Sequence, residues 1–197
     1  MTLALLRLSR ATTLAVGLLL VGAGANLYPL LAIASETAVA PEKNPPGDIP
    51  DNQAFVAFSG PQGYLLQVPE GWARKEAPDG VAFSDKYGRV ELVFSKAHGV
   101  LTVDNVRALE AASLEKSGHA VKISTITKTQ LPAGPAIKIT FSSNSEPNGV
   151  TGKQIRLESE RFLVVHGDQL AALTFSAPMG ADNVDQWTLM SKSLRWQ

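Results

Sequence analysis

The chain has 197 residues, with 18 basic against 18 acidic side chains, three histidines and no cysteine. Balanced charge excludes a general nucleic-acid binder, which needs a basic face. The missing cysteine excludes disulfides, thiolate catalysis, thiolate metal sites and a lipid-bearing cysteine, so an exported domain must hold itself together by its core.

Residues 1–34 read as a signal peptide or N-terminal membrane anchor. Arg7 and Arg10 form a basic head, and from Ala11 to Ala34 the chain is uncharged and rich in Leu, Val, Ala and Gly. Charge at the head and none in the body orients an export leader, because Lys and Arg stay on the cytoplasmic side. Ala32 and Ala34 form an A-x-A cleavage signal, with Ser35 as the mature start. The same uncharged run is long enough to cross a bilayer, which takes about 20 helical residues. Pro29 would kink such a helix and favours cleavage over retention. Without the two leader arginines, 16 basic and 18 acidic residues remain.

Residues 35–53 read as a Pro-rich linker. Pro41, Pro45, Pro46, Gly47 and Pro50 crowd there with few large apolar residues, so the segment is expected to be extended and poorly packed, a spacer if the leader is retained. Residues 54–197 then form one domain, of a size that buries roughly two-thirds of its chain surface.

Within that domain the apolar residues first recur with period two. Tyr64, Leu66 and Val68 make a strand stopped by Pro69 and Gly71. Val81 and Phe83 begin another, Lys86-Tyr87-Gly88 turns, and Val90, Leu92 and Phe94 return as the second arm of a hairpin with one buried face. Residues 102–117 read as a helix. Thr102 caps its start, Asp104 complements its first turn, Val103, Val106, Leu109 and Leu114 form its apolar stripe, and Gly118 stops it. Strands resume at Val121, most clearly over 136–142. After the Pro147-Asn148-Gly149 turn, Ile155 and Leu157 point inward, but Phe162 has the opposite parity, which predicts a bulge or break around Ser159 to Arg161. Gly167-Asp168 makes a tight turn before Ala171, Leu173 and Phe175. A closing helix over 183–195 places Val184, Trp187, Met190 and Leu194 on one face, with Asn183 and Gln186 as a capping box. The order predicts an α+β fold, an antiparallel sheet covered by helices.

Catalytic and ligand motifs are scarce. His98, His119 and His166 lie in separate turns or strand starts, and no HExxH occurs. His166 and Asp168 are the weak metal candidates, although His-Gly-Asp also reads simply as a polar hairpin turn. Asp48 and Asp51 lack EF-hand spacing. No G-x-S-x-G marks a serine nucleophile, Gly22 and Gly24 lie inside the leader, and Gly152-Lys153 lacks the upstream glycine of a phosphate loop. Glu158 and Glu160 share a strand face, where Arg156 and Arg161 point to a solvated, salt-bridged strand rather than an acid–base pair. Trp72 and Trp196 are candidate partner contacts, or else close the ends of the core. The sequence therefore predicts no catalytic residue and no cofactor.

Gly63 to Trp72 reads GYLLQVPEGW. This aromatic–apolar strand ending in V-P-x-x-W resembles the opening of the PsbP-like superfamily, which spans an extrinsic photosystem II protein and bacterial envelope relatives such as DcrB and LpqN. The resemblance extends over about residues 55–196, through the strand pair, the helix, the meander and the closing Ser193-Leu194-Arg195-Trp196. It implies an α/β/α sandwich around a central antiparallel sheet and a non-enzymatic role in binding other proteins. Cyanobacterial members carry a lipidated cysteine after the leader, which this chain lacks. The resulting expectation is an exported protein, periplasmic or on the thylakoid-luminal side, soluble after cleavage or anchored through residues 11–34. It would bind or stabilise a membrane protein complex, a photosystem among the candidates, with no nucleic-acid partner. The alternative is a periplasmic small-ligand-binding module whose pocket is walled by the apolar sheet.

Overall fold

The computed structural model describes residues 36–197, so the leader at residues 1–34 and the start at Ser35 lie outside the described residues. Two sheets form. Strands β1 (Phe55–Gly60) and β2 (Tyr64–Pro69) make a hairpin. The two-residue β10 (Arg195–Trp196) joins the other side of β2. The larger sheet contains β3 (Ala73–Ala77), β4 (Gly80–Ser84), β5 (Arg89–Lys96), β6 (Lys122–Leu131), β7 (Gly134–Asn144), β8 (Arg156–His166) and β9 (Gln169–Pro178). Its order is β3-β4-β5-β9-β8-β7-β6, antiparallel throughout.

Between β5 and β6 runs a helical segment made of α1 (Val103–Val106), a π-helical turn (Arg107–Ala111) and α2 (Ala112–Ser117). Thr102 caps it, its hydroxyl accepting from the Asn105 N–H at 3.2 Å. This segment covers one face of the large sheet over Ile126, Ile137, Ile139, Phe141 and Leu163. The other face carries Val81, Phe83, Val90, Leu92, Phe162, Leu173 and Phe175. It is covered by α3 (Val184–Ser193), through Trp187 and Met190, and by Tyr64, Leu66 and Val68 of the small sheet. Trp187 stacks on Phe175 at 5.8 Å between ring centres. The expected α/β/α layering around an antiparallel sheet is what forms.

Several local expectations are corrected. No bulge interrupts β8: its register with β7 and β9 is continuous, and the only register shift of the β6–β7 pair lies between Ile123 and Thr125. The parity change arises because both faces of β8 are covered. Phe162 and Val164 face α3, while Leu163 faces α1 and α2. A strand buried on both sides has no single inward set. The closing helix ends at Ser193, and Arg195, the last residue expected in it, instead begins β10. Val184, expected inward, is 70% exposed, whereas Gln186, Ser191 and Ser193 are buried.

The Pro-rich segment is extended and mostly exposed, as its composition dictates, and it is tied to the domain near each end. It lies along the domain from Glu36 to Asp51. Asn183 does not cap α3. Its Oδ1 instead accepts from the Ile49 N–H at 2.7 Å, and its Nδ2 donates to the Gly47 carbonyl at 3.0 Å. Gln186 reaches Asp51 rather than closing a capping box. Buried Asn144 does the same at the other end, accepting from the Val39 N–H and donating to the Thr37 carbonyl. Ile49 is buried in the main core. An extended segment has backbone groups with no ladder partner, and these two buried asparagines supply the missing bonds. Gly47, at φ +115°, is tight against Pro178 and Tyr87, where a Cβ would crowd both.

Candidate functional site

The aromatic and histidine candidates are placed as follows. Trp72 is half-buried against the main core, its ring over Gly88. Trp196 is half-buried too, and its Nε1 donates to the Ala133 carbonyl at 2.9 Å. His166 lies flat on the Trp196 ring, 4.3 Å between centres. Both tryptophans thus pack on the core with part of each side chain left at the surface. His166 and Asp168 flank Gly167 in the two-residue β8–β9 turn, and the Asp168 carbonyl accepts from the Ala97 N–H. Gly167 has φ +61°, the conformation that the first position of a type II′ hairpin demands. Among the described residues no three His, Asp or Glu side chains converge as a metal site.

Glu158 and Glu160 do share a face. They line a cleft of about 280 Å³ between the sheet and α3. Their partners differ from the expected arginines. Lys138 pairs with Glu160 at 2.8 Å, and Arg161 points to the opposite face, toward Glu110. Burial pushes the Glu158 carboxyl above its usual range, and a hydrogen bond from the Gly180 N–H partly offsets this.

A more open apolar pocket of about 380 Å³ lies on the other face, where the β5–α1 loop meets the helical segment. Leu101 and Val106 form its wall, Val165 and Leu170 its floor, and Val100 and Leu109 its rim. Asn105 Nδ2 donates to the Val100 carbonyl at 2.8 Å, which ties the loop to the helix. Val100 is 74% and Leu109 56% exposed. Two large apolar side chains beside an apolar hollow are an unusual thing for a surface to carry without an occupant.

The helix sequence explains why Leu109 points out. A regular α-helix would bring Leu109 to the same stripe as Val106. The π-helical turn needs about one more residue per turn. The buried positions are therefore Val106 and Ala111, five apart, and Leu109 falls between them on the outer side. The sequence carries no visible signal for this turn, so the period of the α-helix assigns Leu109 to the core. Single-turn π segments inside α-helices occur frequently at functional sites.

The end of the helical segment is also irregular. Ala120 has φ +45°, a left-handed conformation that costs an alanine roughly 1–2 kcal/mol. Its carbonyl accepts from Arg156, which is fully buried and also donates to Asn144 and Ser142. His119, next to it, is held by two carboxylates, with Nδ1 at 2.7 Å from Glu36 and Nε2 at 3.1 Å from Glu146. The Glu36 hydrogen bond raises the imidazole above its ordinary range. Hydrogen bonds from Asn144, Gln154 and His119 hold the Glu36 carboxyl at about 2.

No protein-family model matches this sequence, and no curated protein is significantly similar to it. Solved structures are similar in fold. The cyanobacterial PsbP protein (CyanoP) of Synechocystis superposes with a TM-score of 0.54 at 12% identity, over 77% of this chain and 98% of that one. LpqN, involved in cell envelope biogenesis of Mycobacterium tuberculosis, gives a TM-score of 0.46 at 14% identity, over 74% and 91% of the two chains. A protein of unknown function from Pseudomonas aeruginosa gives 0.48 at 10%, over 73% and 97%. These last two scores add no weight. With the layers and strand order described above, the CyanoP match identifies this as a PsbP-like fold.

Proposed function

We propose that the protein is an exported, non-catalytic binding protein that holds or stabilises a membrane protein complex on its extracytoplasmic face. The complex suggested by the sequence resemblance is a photosystem, with the protein on the luminal or periplasmic side. The observation that carries the reading is the exposed Val100–Leu109 pair over the apolar pocket, a rim suited to receive an apolar side chain of a partner. The PsbP-like fold and the leader at residues 1–34 support it. Affinity capture from native membranes tests it. Wild-type protein should recover one membrane complex, and L109E should lose it while remaining folded. Recovery of free monomer alone from both would remove the reading.

The pocket itself favours a second reading, a small-ligand-binding module. Its volume of about 380 Å³ lies in the range of small-molecule sites, and its walls are mainly apolar. Here a thermal-shift screen of envelope lipids and apolar metabolites should give stabilisation that a bulky V106F substitution abolishes. Absence of a shift with every class leaves only the first reading.

A further inference from the structure

A second concavity on the helix-covered face has a different chemistry, and it does not depend on the partner-binding reading. Beyond the end of α2, the floor of the sheet turns polar. Cross-strand register aligns Arg89, Ser176 and Ser159 in one row across β5, β9 and β8. It aligns Glu91, Thr174 and Arg161 in the next. Leu114, Val121 and Phe141 form an apolar wall beside these rows, and the cleft encloses about 340 Å³.

Most of the charges here are paired. Arg89 Nη2 contacts Glu91 Oε1 at 2.5 Å, and His119 lies between Glu36 and Glu146. Arg161 is the most loosely paired, with Glu110 at the outer edge of salt-bridge distance. Its side chain is only 21% exposed. Nε donates to Thr174 Oγ1 at 2.9 Å, but the nearest carboxylate, on Glu110, is 3.9 Å from Nη1, beyond hydrogen-bond distance. Among the described residues, no acceptor lies within hydrogen-bond reach of its two terminal amino groups. Burial disfavours this guanidinium cation, and Glu110 and Glu91 only partly compensate. Arg156, five residues earlier in the same strand, shows the contrast: both of its terminal nitrogens are hydrogen-bonded inside the protein. A mostly buried guanidinium that keeps a free fork on a rigid sheet is arranged for an external oxyanion. Ser159 and Ser176 add to it. Their hydroxyls are 2.8 Å apart, and when buried Ser159 donates, the half-buried Ser176 keeps its own O–H free.

We propose that this cleft binds a small monocarboxylic acid, its carboxylate on the Arg161 fork and its apolar body against Leu114, Val121 and Phe141. One guanidinium fork in the cleft has its carboxylate beyond hydrogen-bond distance, which matches a ligand with a single negative charge. A doubly charged phosphate would face Glu91, Glu110 and Glu146, with Arg89 and His119 already engaged by carboxylates.

The test is an NMR titration of protein purified from its exported fraction, with hexanoate as probe and 1-hexanol, inorganic phosphate and a short poly-glutamate peptide in parallel. Hexanoate should give saturable shifts at the amides of residues 159–161 and 174–176, and the other three should not. R161K should weaken hexanoate about tenfold or more, because an ammonium has no planar fork. E110Q should tighten it about threefold by removing the competing carboxylate, a size ordinary for a partly exposed charge pair. That variant decides the matter if Arg161 variants fail to fold. The proposal is overturned if hexanoate does not saturate, if hexanol matches it, if phosphate or the acidic peptide binds in its place, or if E110Q leaves its affinity unchanged.

Discussion

Replacing Asn183 with alanine removes two bonds at once, from the Ile49 N–H and to the Gly47 carbonyl. The side chain is buried, at 2% exposure, so water does not simply replace it. A hydrogen bond contributes about 0.5–1.5 kcal/mol, and an orphaned buried group costs about 1–3 kcal/mol. Because the segment can peel away and solvate its own backbone, the lower end applies, giving about 2–3 kcal/mol for the pair. For a domain of this size that is a fall of about 4–12 °C in Tm. Urea denaturation followed by circular dichroism measures the loss, and limited proteolysis should show new cleavage between residues 41 and 51. The control is N183S. If Asn183 acted as a helix cap, serine would substitute well. Since it acts on the extended segment, N183S should be nearly as destabilised as N183A. An N183S protein of wild-type stability, or an N183A protein with an uncut segment, would refute the reasoning.

The other end of the segment should respond to pH. The His119 value is raised in the folded protein, so its contribution is complete below its ordinary 6.5 and is lost as pH rises through the raised value. The Glu36 value is lowered to about 2, so its contribution is complete above 4.5 and is lost as pH falls toward about 2. The Val39 amide, bonded to Asn144, should therefore show its highest protection factor, after correction for the intrinsic exchange rate, between about pH 4.5 and 6.5, and H119A should flatten the alkaline side of that profile. In the core, L92A should cost about 2–5 kcal/mol, since Leu92 is fully buried at the centre of the sheet. V184A should cost less than about 0.5 kcal/mol in the same denaturation assay, because the side chain is in solvent despite its place in the apolar pattern. A large loss for V184A would restore the inward assignment.

What could be read from the sequence follows from where each signal originates. Period-two alternation located Val90–Phe94 and Ile137–Phe141 because one polar and one apolar set are visible along each strand. The Thr102 cap and the Gly118 stop bounded the helical segment because capping is local chemistry. Strand β3 escaped because Ala73–Ala77 is exposed along its whole length and carries no apolar alternation. The parity of β8 suggests a bulge that is not there because two different layers cover the strand. Leu109 was assigned to the core because a π-helical turn leaves no periodic trace in fifteen residues of helix. The fixing of residues 36–51 was invisible for another reason: Asn183 and Asn144 lie more than 100 residues from the backbone groups they bind. The candidate cleft at Arg161 depends on register across three strands, which pairs residues about 13 to 87 positions apart. The tryptophans are recognisable as candidates by type alone, and their half-burial against the core is visible only in the packing.

The central claim is that the Val100–Leu109 rim meets a membrane protein complex. The direct measurement is site-specific photo-crosslinking in native membranes, with a benzophenone amino acid at position 109 and, as control, at Arg74 on the exposed edge strand. One crosslinked integral membrane subunit is expected from position 109 and none from position 74. Equal crosslinking from both positions, or none from position 109 in membranes that contain the protein, would contradict it.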